Sequence, residues 1–187
     1  MPDLYNLYRC DEGDNARYLL GRSRRVDSSS CVIVVGLNPS TATRDRSDNT
    51  ITKVEKLSAR ENWQGFVVVN LYPLRATHTK QLPLAVNEKL FHDNIHAIND
   101  LLNKNTKAAI WAAWGEGIQL RQYFIEMCRS ILALPGSHHR QWLHFGPLSK
   151  CGHPRHPSRL RYTWSFNHFD VVKYQQQLLK NNTIVLP

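Results

Sequence analysis

Four short apolar runs constrain this chain more than any other feature: CVIVVG (31–36), FVVVNLY (66–72), AAIWAAWG (108–115) and WLHFG (142–146). They are continuous rather than alternating, and the first two are dense in Val and Ile. A strand that is apolar on both faces must be covered on both faces, which is the mark of a parallel sheet held between helices. The intervals between the runs carry helical spacing. Residues 50–62 place Ile51, Val54 and Leu57 three apart, and residues 86–104 place Leu90, Phe91, Ile95, Ile98, Leu101 and Leu102 on one side. Residues 117–134 repeat the pattern, and residues 169–179 add a last helix. The expected fold is α/β, with three α/β/α layers around a four-stranded, mostly parallel sheet. LYNLY (4–8) and ARYLLGR (16–22), separated by CDEGDN, predict an N-terminal β-hairpin within an extension over residues 1–30. The length of 187 residues suits one domain spanning 1–187.

Composition narrows the setting. No apolar run is long enough to span a membrane, and the opening MPDLYNLYRCDEGD is too polar and acidic for a signal peptide, so the expected location is cytoplasmic, without a membrane partner. The four cysteines, Cys10, Cys31, Cys128 and Cys151, contain no C-x-x-C pair. That argues against a zinc ribbon or a redox motif, while a cluster assembled from distant cysteines stays open. Cys31 opens an apolar strand and Cys128 lies in an apolar helix, where packing explains both. Lys and Arg outnumber Asp and Glu by 24 to 15, giving a net charge of +9. The excess gathers in GRSRR (21–25) and KCGHPRHPSRLRY (150–162). One reading is a soluble basic surface; the other is attraction to a polyanion, favoured by His153 and His156 within the second cluster.

In an open α/β sheet, ligands bind outside the carboxyl ends of the strands. Here those ends lead into GLNPST, NLYPLRAT, WGEG and GPLSKCGHPRHPSRL. The G-x-G-x-x-G, P-loop, G-x-S-x-G and zinc-deaminase signatures are all absent. Within GLNPST, Pro39 pushes Asn38 out of helical backbone, so its amide either caps the turn or is aimed for chemistry. Asn70 ends an apolar run, and its amide can read a base edge or satisfy local backbone. Arg75 can hold a phosphate or pair with a local acid. Cys151, His153 and His156 form C-x-H-x-x-H, but two prolines hold the segment extended, unlike the usual zinc spacings, so the expectation is no metal and no cofactor. The alternative is a stiff loop that carries His156 and several guanidiniums into the crevice, where the imidazole can donate to a developing anion. His92 and His96, at i, i+4, read as a solvated helix face; Trp111 and Trp114 read as core. Asp48 and Thr50 read as a helix N-terminus, with Asp48 also a candidate general base.

GLNPSTA, D-x-T at 48–50, VVVNLYPLRAT, AAWGEG and GHPRHP occur in this order. The set resembles an uncharacterised domain family, found mainly in microbial and phage sequences, with the pattern GLNPSTA, NLF-x-x-RAT, AWG and G-x-P-[RK]-H-P-L-Y-L. More distantly, the chain resembles the uracil-DNA glycosylase superfamily, whose motifs are similar to GLNPS, to the Asn closing VVVN, to Trp114-Gly115 and to HPSRL. It departs from that pattern at Arg159, where the superfamily has Pro, and at Ser40.

The resemblance implies a nucleobase-handling hydrolase that cleaves an N-glycosidic bond, expected to act on DNA. In that reading Asn38 orients water and His156 stabilises the departing base. Asn70 reads the base edge, with Tyr72 stacking on it. Arg75, Arg155, Arg159 and Arg161 hold phosphates, and Leu160 sits near the wedge that parts the strands. Two rivals remain: a binding module that uses the same pocket without cutting, and a hydrolase of free nucleosides or nucleotides.

Overall fold

In the computed structural model, which describes residues 4–23 and 31–182, seven strands form one sheet. They are β1 (Leu7–Cys10), β2 (Arg17–Ser23), β3 (Cys31–Gly36), β4 (Gly65–Asn70), β5 (Ala109–Ala112), β6 (Trp142–Phe145) and β7 (Phe166–His168). The helices are α1 (Asn49–Arg60), α2 (Glu88–Lys104), α3 (Gln122–Ala133) and α4 (Val171–Asn182). Strand order is β1-β2-β4-β3-β5-β6-β7. The four expected strands make its parallel centre.

The expectation of a four-stranded sheet needs correction. The hairpin is not an appendage: β2 pairs antiparallel with β4, Leu20 opposite Val68, and so extends the sheet. At the other edge β7 pairs antiparallel with β6. This strand is only three residues long, largely exposed, and set in a polar loop, so it carries none of the apolar signal that marked the others. Arg24, Arg25 and the DSSS turn lie outside the described residues.

β3 pairs with both β4 and β5. The chain therefore steps one way from β3 to β4 and the other way on to β5 and β6. Right-handed crossovers put α1 on one face and α2 and α3 on the other. The side chains sort accordingly. Val32, Val34 and Val68 pack with Ile51, Val54 and Leu57 of α1, whereas Ile33, Val35, Val67 and Val69 pack with residues of α2, α3 and α4. Asp48 starts α1 by accepting the Ile51 N–H at 2.9 Å, and Asn87 starts α2 by accepting that of Leu90 at 3.1 Å. The reversal of direction beside β3 leaves a crevice at the strands' carboxyl ends.

The hairpin contains one irregularity. Leu19 faces Arg9 and Arg17 faces Cys10, so Tyr18 is an extra residue. Such a bulge breaks the alternation of side chains and re-aims its neighbours. Leu19 packs on the α2–α3 side and Leu20 on the α1 side. Regular alternation would send Arg17 with Leu19; instead it lines the crevice beside Ile51 and Val54 of α1.

Candidate functional site

The crevice encloses about 700 Å³. Its apolar floor is Val34 and Val68 from the sheet, with Ile51 and Val54 from α1. Asn38, Asn70, Asp48, Arg17 and His156 line it, joined by the Trp114–Gly115 turn and by Thr79 and Lys80 from the loop after β4. Residues far apart in sequence thus meet at the carboxyl ends of β3, β4 and β5.

Asn38 is held on three sides. Its Nδ2 donates to the carbonyls of Pro39 (2.9 Å) and Ala76 (2.8 Å), and its Oδ1 accepts from Thr79 Oγ1 at 3.1 Å. Both amide hydrogens are spent bracing the turn against the 76–79 loop, and one Oδ1 lone pair is left over. Asn38 therefore fastens the turn, as the first of the two sequence readings expects, and also lines the crevice. Asn70, only 3% exposed, lines the same space, and its Nδ2 has no hydrogen-bond partner. Gly36 makes room for this amide, since a Cβ there would meet Asn70 Oδ1 at 2.7 Å.

His156 stands at the opposite wall, on a Pro-stiffened loop entering a one-turn 3-10 helix over Pro157–Arg159. The Ser158 N–H (3.3 Å) and hydroxyl (2.9 Å) both reach Nδ1. A backbone N–H can only donate, so Nδ1 is an acceptor and the neutral ring carries its proton on Nε2. The ring keeps some open surface in the crevice yet lies deep among protein atoms. Desolvation lowers its pKa from 6.5 to about 4, Asp48 opposes that shift, and Arg159 and Lys53 add to it. At neutral pH His156 is thus an uncharged N–H donor.

The loop bearing His156 is tied down from behind. Trp114 Nε1 donates to Tyr174 Oη at 2.9 Å, and His153 Nδ1 lies 2.8 Å from the same hydroxyl. Indole is a donor only, so the hydroxyl accepts from Trp114 and shares its second hydrogen bond with His153 Nδ1. Burial pushes the His153 pKa down, and its ring serves as an anchor. Cys151 is exposed, with its backbone carbonyl taken by Gln177, while the His153 and His156 rings bond Tyr174 and Ser158 respectively.

Other expected site residues lie elsewhere. Tyr72 is 0% exposed; its ring packs on Tyr123 and its hydroxyl accepts the Asn87 N–H at 3.0 Å, behind the crevice. Periodicity ends with β4 at Asn70, and the following turn swings Tyr72 into the core between sheet and α2. Arg75 is a structural clamp, ion-paired to Asp14 at 2.9 Å and donating to the carbonyls of Ser40 and Ala42. Leu160, 6% exposed, packs in the α1 core rather than projecting as a wedge. Arg161 is exposed over the Trp164 ring and does not line the crevice, whereas Arg155 and Arg159 do.

Arg17 escaped sequence reasoning. It is 2% exposed and lines the crevice, and its Nη1 donates to the Ala42 carbonyl at 3.0 Å. The available signal was a charged residue inside the apolar ARYLLG, but only the bulge at Tyr18 and the pairing of β2 with β4 reveal its direction.

The chain belongs to the family described as "Protein of unknown function (DUF1643)", whose sequence profile matches residues 17–158. The match runs from Arg17 to the Ser158 that holds His156, and so contains every crevice-lining residue except Arg159. No curated protein and no solved structure matches the chain.

Proposed function

We propose that the crevice binds a nucleobase and hydrolyses its N-glycosidic bond. The observation that carries this reading is the convergence of Asn70, with an unsatisfied amide, and His156, with its proton on Nε2, on one cavity. Asn70 offers donor and acceptor to a base edge. His156 Nε2–H donates to the oxygen that gains charge as the base departs, without giving up its proton.

In the reaction, the bond between the base nitrogen and the sugar's anomeric carbon breaks, and the electron pair leaves with the base. Water gives its hydroxyl to that carbon, and its proton ends on the base. Asn38 Oδ1, with its spare lone pair, orients the water. Asp48, which lines the crevice while its oxygens accept the N–H groups of Ile51 and Ala42, takes the proton in transit. Arg155, Arg159 and Lys80 at the rim hold phosphates.

DNA is the substrate suggested by the basic rim. A second reading, a hydrolase of free nucleosides or nucleotides, is favoured by the burial of Leu160 and Tyr72, which leaves neither a wedge nor a stacking ring of the expected kind. The test is base release, followed chromatographically, from oligonucleotides carrying uracil, hypoxanthine and other modified bases, and from the matching nucleosides and nucleotides. Release from oligonucleotides alone supports DNA; release from monomers alone supports the second reading. No release from any substrate rejects hydrolysis, and salt-dependent DNA affinity would then identify a binding module.

A further inference from the structure

Arg17 and Arg75 donate to the same carbonyl, that of Ala42, at 3.0 and 2.8 Å, so the two guanidiniums are neighbours. Arg75 is balanced by Asp14. Arg17 is not: it forms no ion pair within 4.0 Å among the described residues, and its buried Nε has no partner. The crevice carboxylate that acts on it, Asp48, already accepts two backbone N–H groups. A cation withdrawn from water is costly unless an opposite charge meets it. Desolvation, then repulsion from Arg75, lowers the Arg17 pKa to about 10, which leaves it charged at neutral pH. A bulge residue, Tyr18, is what aims this charge into the crevice rather than at the opposite face of the sheet.

We propose that Arg17 is the anion-binding group of the crevice, and that the ligand atoms set against it carry negative charge on oxygen. Within the glycosidic reading, on which this partly rests, that group is the base as it leaves with the bonding electron pair. The same chemistry is offered by the phosphate of a nucleotide.

The experiment measures the thermal midpoint in inorganic phosphate, in urate (a purine that is anionic at neutral pH) and in chloride at matched ionic strength. The wild-type protein is expected to be stabilised by at least one of the first two, Arg17→Gln to lose that shift, and Lys56→Gln, an equal charge change on the exposed side of α1, to keep it. Stabilisation by urate alone identifies the base as the anion; stabilisation by phosphate alone identifies a nucleotide phosphate. No shift in the wild type, or a shift that survives Arg17→Gln, overturns the proposal. If Arg17→Gln does not fold, the Arg17 Nε resonance of the wild-type protein decides: it must move on adding the stabilising anion, and an unmoved resonance rejects the assignment. Anion binding at Arg17 without base release from any substrate keeps this site and removes the glycosidic reading. Base release that is unchanged in Arg17→Gln does the reverse.

Discussion

The two faces of the sheet are finished differently. On one, α2, α3 and α4 close over Val67, Val69, Ile33 and Val35, with Phe124, Met127 and Trp114 packed between. On the other, α1 is the one helix that packs on Val32, Val34 and Val68, and the carboxyl ends of the strands are bordered by loops, among them the one that carries His156. The covered face takes in even residues that look functional in sequence, such as Tyr72. The open face collects polar groups that its apolar neighbours do not satisfy, Asn70 Nδ2 and Arg17 Nε among them. Buried donors without partners are uncommon in folded proteins. Two of them lie beside one cavity, and these are the groups that the proposed ligand would engage.

On the covered face the largest loss of stability is expected from Phe124→Ala. Phe124 is 0% exposed within the core between the sheet and α2, α3 and α4, and the change should cost about 3–5 kcal/mol in chemical denaturation. A cost near zero would mean that the covered face is not the stabilising one.

His156→Ala tests the open face. Base release should fall by ~10²–10³-fold, as for loss of one donor to a developing oxyanion, while folding persists. The pH dependence has a definite sign. The folded-state pKa of His156 is lowered from 6.5 to about 4, so the unfolded chain takes up the proton first as pH falls. The stability linked to His156 is fully present above pH 6.5 and is lost as pH falls to about 4; His144 and His153, lowered by burial, act in the same direction. Removing the ring should flatten that slope in pH-dependent denaturation, and an unchanged slope would show that His156 titrates normally.

Tyr72→Phe separates the two faces at a single hydroxyl. It leaves the Asn87 N–H without its acceptor and should cost ~1 kcal/mol, with base release unaltered. A selective loss of activity would return Tyr72 to the crevice. The smallest effect is a matched pair. Ile51→Val beside the crevice and Ile98→Val on the covered face, both 1% exposed, should each cost about 0.5–1.5 kcal/mol, with Ile51 at the lower end because its surroundings can relax. Equal costs would indicate that the crevice wall is as rigid as the core.

Much of this was legible in the sequence, for identifiable reasons. The runs at β3, β4, β5 and β6 are apolar on both faces, so their burial and parallel pairing follow from composition alone. Asn38, Asn70 and His156 were readable because each closes a strand or sits in a loop between prolines, where topology dictates direction. The misreadings begin where periodicity stops. Tyr72 lies two residues beyond the end of β4, and Leu160 follows a 3-10 turn that folds it back onto α1. Arg17 depends on one inserted residue and on pairing with a strand far along the chain. Neither leaves a local trace, because a bulge is a property of two strands together.

Gly115 adopts φ +74° in the turn that follows β5, and a Cβ there would meet the Cβ of His156 at 2.9 Å, so the histidine is seated directly on that turn. During synthesis the emerging chain presents Arg17, Asn38 and Asn70 well before residue 156 exists to dock against that glycine. Within the proposed reading, the last donor of the crevice joins it only when the His156 loop docks, so a chain ending before residue 156 would lack the group on which base departure depends.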